Sequence, residues 1–377
     1  MSDITFLGTM PDPFKKADGA RMTPEEWQVY RGQLREKIVK IEFGTIPPRP
    51  EVVRVEQLNT LCRNVHGTWY KIFAGTKEKQ VSFLLELNVP FVPGLGPEDQ
   101  DAPFTEEEKY PVVLTGDACY ANMETDVIRE AMSRGYIAAR FNRLELANDV
   151  KGCREGGLYS VYPDVDMTAI GAWAWGYMVC MDVFEKISFV DETEVGITGH
   201  SRGGKTVLLA AAIDERIKYV CPNNSGAGGA VSYRCVVENQ GEFNRRTERL
   251  GDLLDAFPTW MGTELVAYRD REQELPYDMH YFGALIAPRY YLQCEGMQDY
   301  WINPMGAWQN FMAVKECYRY LGCEEHAGAW FRPGFHRHKL PDYQQFLDFM
   351  DRARLGKPLS EHLQINPYPG MEKNFQW

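Results

Sequence analysis

Seven consecutive residues, Gly199-His200-Ser201-Arg202-Gly203-Gly204-Lys205, restrict what this chain can fold into more than any other stretch. The preceding Val195-Gly196-Ile197-Thr198 reads as a buried strand, and residues 206–212 are an unbroken run of helix-compatible types. Ser201 stands between them with Gly199 and Gly203 at the G-x-S-x-G spacing, where a strand must turn sharply into a helix. Such a turn raises the serine hydroxyl above the strand ends. It also leaves the first N–H groups of the new helix free to receive an oxyanion. Taken alone, the pattern fits a surface turn with a capping serine as well.

The remaining sequence supplies a frame for that turn. Residues 24–43 carry apolar side chains at helical spacing (Trp27, Tyr30, Leu34, Ile38, Ile41), and Thr23 with Glu26 spells a capping box. Segments 52–58, 69–73 and 81–89 read as early strands of an antiparallel edge, and 90–109, rich in proline and acidic residues, reads as a solvated loop. From there strands alternate with helices: strand 110–115, helix 125–133, strand 135–141, a long helix over 166–189, and the strand leading to Ser201. Segments 218–222, 289–294 and 329–332 supply later strands, and 343–350 a last helix. That alternation predicts an α/β fold, a three-layer αβα sandwich with a mostly parallel sheet and its site at the carboxyl ends of the strands. No repeat or linker divides the chain. We therefore expect one domain over 1–377, with a helical and strand extension over about 1–108 at its N-terminus.

Composition removes several partners. A net charge of −12 offers no concentrated basic face for nucleic acid. Nowhere do 18 uncharged apolar residues run together, so no membrane span is expected. Nine cysteines, scattered without a C-x-x-C pair, fit reduced core thiols better than a disulfide framework or a zinc site. The first residues, Met1 to Phe6, lack a basic stretch followed by an apolar one. As given, the chain is expected in the cytoplasm, and a longer precursor trimmed of its signal would look the same.

A serine nucleophile needs a base and a carboxylate that orients it, following in the order acid, then histidine. The segment Glu295-Gly296-Met297-Gln298-Asp299-Tyr300-Trp301 lies just past an apolar strand, which makes Asp299 the candidate acid and Glu295, closer to the strand, the weaker one. Farther on, Gly334-Phe335-His336-Arg337-His338 places two histidines in a loop after the last strand. One of them should be the base. For His66, His200, His280, His326 and His362 a structural or solvent role is expected.

These residues resemble a known family. Gly199 to Lys205 resembles the G-[CH]-S-R-x-G-K elbow of the glucuronoyl esterases, carbohydrate esterase family 15, in the α/β-hydrolase superfamily. Further segments resemble the family in family order: Ala172 to Gly176, Ala212 to Ile217, Asn223 to Ala230, Gly241-Glu242, Phe257 to Trp260, Ala284 to Arg289 and Asp299-Tyr300-Trp301. The opening, Pro11 to Phe14 and then Glu26-Trp27, resembles the bacterial members. The resemblance implies Ser201 as nucleophile, with the Arg202 guanidinium and backbone N–H binding the oxyanion. It implies Lys205 and Glu242 as contacts to sugar hydroxyls, and Trp301 as the indole that closes over the uronate.

Two departures from the fungal pattern stand out. Their acid follows the strand after the elbow, where this chain has Asn224, so Asp299 must carry the whole orienting role. Their paired cysteines fall on His200 and Lys339 here, which removes the tethering disulfide. The same alignment favours His338 as the base, with His336 as a neighbour that shapes the pocket or binds substrate. The implied reaction is two-step acyl transfer on esters of (4-O-methyl-)glucuronic acid, small or oligosaccharide, without metal or cofactor. A broad carboxylesterase or acetyl(xylan) esterase is the alternative enzyme, and a noncatalytic carbohydrate-binding relative is the alternative from another class. The oligomeric state is not legible in the sequence.

Overall fold

The computed structural model describes residues 3–59, 67–90, 108–120, 123–238 and 246–377. Its strands are β1 (Asp3–Phe6), β2 (Val52–Gln57), β3 (Gly67–Gly75), β4 (Gln80–Asn88), β5 (Tyr110–Thr115), β6 (Ile137–Phe141), β7 (Val190–His200), β8 (Tyr219–Asn223), β9 (Cys235–Glu238), β10 (Tyr290–Gly296) and β11 (Ala327–Arg332). Its α-helices are α1 (Pro24–Phe43), α2 (Thr125–Ser133), α3 (Gly157–Val161), α4 (Ala169–Phe184), α5 (Arg202–Ile213), α6 (Leu250–Ala256), α7 (His280–Ile286), α8 (Pro304–Tyr320) and α9 (Leu340–Arg354).

Among the described residues the main sheet runs β11-β10-β8-β7-β5-β6-β4-β3-β2. The neighbours from β11 to β6 pair in parallel, and β4, β3 and β2 extend the sheet antiparallel. Burial follows from that order. β4 alternates exposed and buried positions over most of its length, as a strand with one wet face must, whereas β5 is buried from Pro111 through Thr115 because helices cover both faces. Val112 and Leu114 pack into one core with α4 and α5, and Val113 packs into the other with α2 and α9. Three layers result, as the alternation predicted.

The capping box forms as read, with Thr23 Oγ1 accepting the Glu26 N–H and the Glu26 carboxylate accepting the Thr23 N–H. The long helix does not. It starts only at Ala169, where Thr168 Oγ1 caps the Gly171 N–H, and it stops at Phe184. Apolar Ile187 and Phe189 are buried in the connection to β7, so hydrophobicity there signals packing and not helix. Helix α8 has no counterpart in the sequence reading. Asn303, left-handed at φ 67°, caps it by accepting the Gly306 N–H.

The described cysteines are free thiols, and Cys62 lies outside the described residues, as do His66 and most of the 90–109 loop. No described helix is long and apolar enough to cross a membrane.

Candidate active site

Ser201 sits at the junction of β7 and α5 with φ 57° and ψ −119°. A non-glycine residue held there costs about 1–3 kcal/mol and persists only where its surroundings fix it. They do so from three sides. Ser201 N–H donates to the Asn223 carbonyl (2.9 Å), the Ser201 carbonyl accepts the Lys205 N–H (3.2 Å), and His200 N–H donates to Asp117 Oδ2 (2.7 Å). Asp117 in turn pairs with Arg143, both fully buried. The flanking glycines are required by close approach: a Cβ on Gly199 would lie 2.4 Å from the Gly203 carbonyl, and one on Gly203 would lie 2.4 Å from both Asp117 carboxylate oxygens. The sharp turn is thus built as the G-x-S-x-G spacing predicts. The first N–H groups of α5, including that of Arg202, open beside the serine.

Asp299 follows β10 and is nearly buried. Its Oδ2 accepts from two groups: His336 Nδ1 at 2.5 Å and Asn224 Nδ2 at 2.7 Å. With Nδ1–H committed to the carboxylate, the basic lone pair of His336 is on Nε2. His336 is half-exposed, and its ring lies 4.2 Å from that of His200, the residue next to Ser201. Asn224, which stands where the fungal pattern has an acid, therefore helps to hold the carboxylate from Asp299. Glu295 hydrogen-bonds to no histidine among the described residues. It is fully buried, accepts from Gln293 Nε2 at 3.3 Å, and its carboxyl is raised well above the ordinary range by burial and by the neighbouring Asp299 charge.

The preference for His338 over His336 is corrected by this geometry. His338 leads into α9, is 2 % exposed, and stacks on Tyr343 at 4.2 Å and 14°. Its Nε2 lies 3.4 Å from Thr198 Oγ1, whose own hydroxyl donates to the Cys221 carbonyl, so Nε2 carries the proton and Nδ1 has no partner among the described residues. A ring so enclosed meets neither Asp299 nor solvent. The two histidines are one residue apart in a loop that turns from the surface into the core, and the alignment had no way to say which faces out.

Burial pushes the His338 imidazole down to about 3, and the Arg332 and Lys339 charges add to the effect. Because folding lowers this group's proton affinity, its contribution to stability is complete above the unfolded value near 6.5 and is lost as pH falls from there toward 3. His338→Gln removes that linkage. Against the wild type, the variant should gain about 2 kcal/mol in urea unfolding on going from about pH 7.5 to about pH 5. A stability difference independent of pH would mean that His338 is not held neutral by burial.

The other expected residues divide. Arg202 Nη1 pairs with Asp149 Oδ2 (2.5 Å), and its guanidinium carbon lies 4.7 Å from the Trp260 ring. Asp149 also accepts from Trp260 Nε1 (2.9 Å) and Tyr120 Oη (3.2 Å), so the guanidinium beside Ser201 is held by a fixed set of partners. Lys205 is 3 % exposed, and its ammonium donates to the Ser225 and Ala227 carbonyls. That leaves one of three N–H donors for anything else. Trp301 keeps an exposed indole on the turn after Asp299.

Glu242 lies outside the described residues. Within them the carboxylate facing Lys205 is that of Glu248, which accepts the Ala227 N–H (3.2 Å) and a Trp301 side-chain hydrogen bond. Burial raises its carboxyl above the ordinary range, and the Lys205 charge opposes the rise. Sequence reasoning missed it because Arg245-Arg246-Thr247-Glu248-Arg249 reads as a solvated charge run, and nothing local marks the glutamate as turned toward Lys205. Among the described residues no group of three or more His, Cys, Asp or Glu is placed to hold a metal ion.

The family model described as "Glucuronyl esterase, fungi" matches residues 74–322. A 4-O-methyl-glucuronoyl methylesterase from Hypocrea jecorina is 27% identical, over 92% of this chain and 70% of that protein. A carbohydrate esterase from an unknown prokaryotic organism is 31% identical, over 61% of this chain and 56% of that protein. Among solved structures, a carbohydrate esterase family 15 glucuronoyl esterase from Caldicellulosiruptor kristjansonii superposes with a TM-score of 0.79 at 25% identity, covering 97% of this chain and 96% of that one. With the family model spanning well over half of its length, this chain belongs to the glucuronoyl esterase family, carbohydrate esterase family 15.

Proposed function

We propose that this protein hydrolyses esters of glucuronic acid, including the 4-O-methyl form, with Ser201, His336 and Asp299 as its catalytic triad and an acyl-enzyme as the intermediate. The observation that carries the reading is the His336–Asp299 hydrogen bond at the strand ends beside the Ser201 turn. His336 Nε2 takes the proton from Ser201 Oγ as that oxygen attacks the ester carbonyl, and Asp299 stabilises the imidazolium that forms. Negative charge develops on the carbonyl oxygen, where the Arg202 N–H and guanidinium receive it. Preorganised donors of this kind are worth about 3–4 kcal/mol in the transition state. The imidazolium then protonates the departing alcohol, and water, activated by the same His336, cleaves the acyl-enzyme to free uronate.

Substrate choice rests on Glu248, Lys205 and Trp301. A half-buried carboxylate and a buried ammonium beside an exposed indole suit a sugar ring, with hydroxyls bonded to charges and an apolar face on the aromatic surface. Glu248→Gln is expected to lower kcat/KM on methyl glucuronate about a hundredfold while changing turnover of p-nitrophenyl acetate by no more than about threefold, because acetate has no hydroxyls to hold. Equal losses on both esters would give Glu248 to the scaffold. They would also favour the second reading, a broad carboxylesterase, for which the commitment of Lys205 to the Ser225 and Ala227 carbonyls already speaks.

A further inference from the structure

His336 lies in the 333–339 segment between β11 and α9, which has no helix or strand of its own, yet one side chain spans it. Arg332, the last residue of β11, donates Nη1 to the Phe335 carbonyl (3.2 Å), Nη2 to the Arg337 carbonyl (2.7 Å) and Nε to Asp342 Oδ1 (2.7 Å). Those carbonyls belong to the residues on either side of His336. Both members of the Arg332–Asp342 pair are buried, with side-chain exposures of 10% and 3%. Asp342 is itself fixed: Oδ2 accepts the Lys339 N–H (2.9 Å), and Oδ1 also accepts Asn223 Nδ2 (3.1 Å). Asn223 Oδ1 in turn bonds His200 Nδ1 at 2.7 Å, which brings the network back to the residue before Ser201.

The backbone on the other side of Arg332 is tied as well. Its carbonyl accepts the Met297 N–H (2.8 Å), the Gly334 carbonyl accepts the Gln298 N–H (3.0 Å), and Gln298 Oε1 accepts the Gly334 N–H. The segment bearing His336 is thus joined to the segment bearing Asp299 by three hydrogen bonds, and Arg332 grips it from within. An ion pair that served stability alone would need only the bond from Nε to Asp342. The two Nη bonds fall on the peptide carbonyl that leads into His336 and on the carbonyl of Arg337, the residue after it, so they bracket His336 along the backbone. Only a planar fork of donors in fixed directions can hold both at once, and an ammonium cannot reproduce that geometry.

We propose that Arg332 is a positioning residue for the acyl-transfer reaction: it clamps the carbonyls of Phe335 and Arg337, the residues before and after His336, and so holds the imidazole between Asp299 and Ser201. The inference rests on the reading of His336 as the base, and it is tested with one readout that needs turnover and one that does not. In Arg332→Lys, kcat should fall tenfold to about a hundredfold on both methyl glucuronate and p-nitrophenyl acetate, with KM within about threefold of the wild type, since a small misplacement of the base impairs chemistry more than binding. The downfield proton resonance of the His336 Nδ1–H, read without any ester, should shift or broaden because the bond to Asp299 is no longer held in one geometry. An unchanged resonance in the folded variant overturns the clamp even if the wild type turned over neither ester, an outcome that would separately refute the esterase reading. Wild-type kcat in Arg332→Lys overturns it too. Should that variant fail to fold, Asp342→Asn replaces it, because one amide oxygen cannot serve Arg332 Nε and the Lys339 N–H together. There too, a normal resonance with wild-type kcat counts against the proposal.

Discussion

His336→Ala is expected to hydrolyse esters no faster than Ser201→Ala, each falling about a millionfold in kcat, because members of such a triad act as a unit and losing either removes the whole nucleophilic step. His338→Gln should keep kcat within about tenfold of the wild type, since a buried ring bonded to Thr198 takes no part in proton transfer. Steady-state kinetics on p-nitrophenyl acetate at neutral pH read both variants against Ser201→Ala. A reversed ranking, with His338→Gln dead and His336→Ala active, would return the base to His338 and require that the loop after β11 rearrange in solution.

Asp299→Asn should cost a thousandfold or more in kcat with little change in KM. An asparagine cannot stabilise the imidazolium, and it can present its amide N–H to Nδ1, which would favour the wrong tautomer. Asn224 gives no relief, because its amide donates to Asp299 and carries no charge to lend. Glu295→Gln is the paired control. Glu295 is enclosed and burial raises its carboxyl well above the ordinary range, so the neutral amide should preserve activity within a few-fold. Near-normal turnover in Asp299→Asn together with a crippled Glu295→Gln would move the acid to Glu295.

What could be read from the sequence follows physical lines. Helix α1, helix α2 and strand β5 fall on the residues predicted for them, because each has a strong local signal: a capping box with periodic apolar positions, a compact amphipathic run, and an apolar strand. The Ser201 turn was legible because its glycines answer to backbone contacts that tolerate no Cβ. Helix α8 was not, since its start depends on Asn303 in a left-handed conformation with its side chain turned onto the Gly306 N–H. The choice between His336 and His338 depends on which way a loop turns over the core, and Glu248 is half-buried through contacts made at a distance, such as that with the Ala227 N–H. Such facts belong to tertiary structure, and charge patterning alone assigns them to solvent.

Strand β1 forms a two-stranded sheet with β9, Phe6 opposite Cys235 and Asp3 opposite Glu238. The Leu7 N–H reaches the Arg234 carbonyl, and the Thr247 N–H reaches that of Val237, one residue before Glu248. During synthesis the opening residues therefore leave the ribosome long before the strand they pair with exists, and they must wait while the elbow and most of the parallel sheet are made. The strand that adjoins the Glu248 segment is thus completed by residues drawn from far away in sequence. A change that displaced β1 would accordingly reach the segment carrying Glu248 by way of β9 and Thr247.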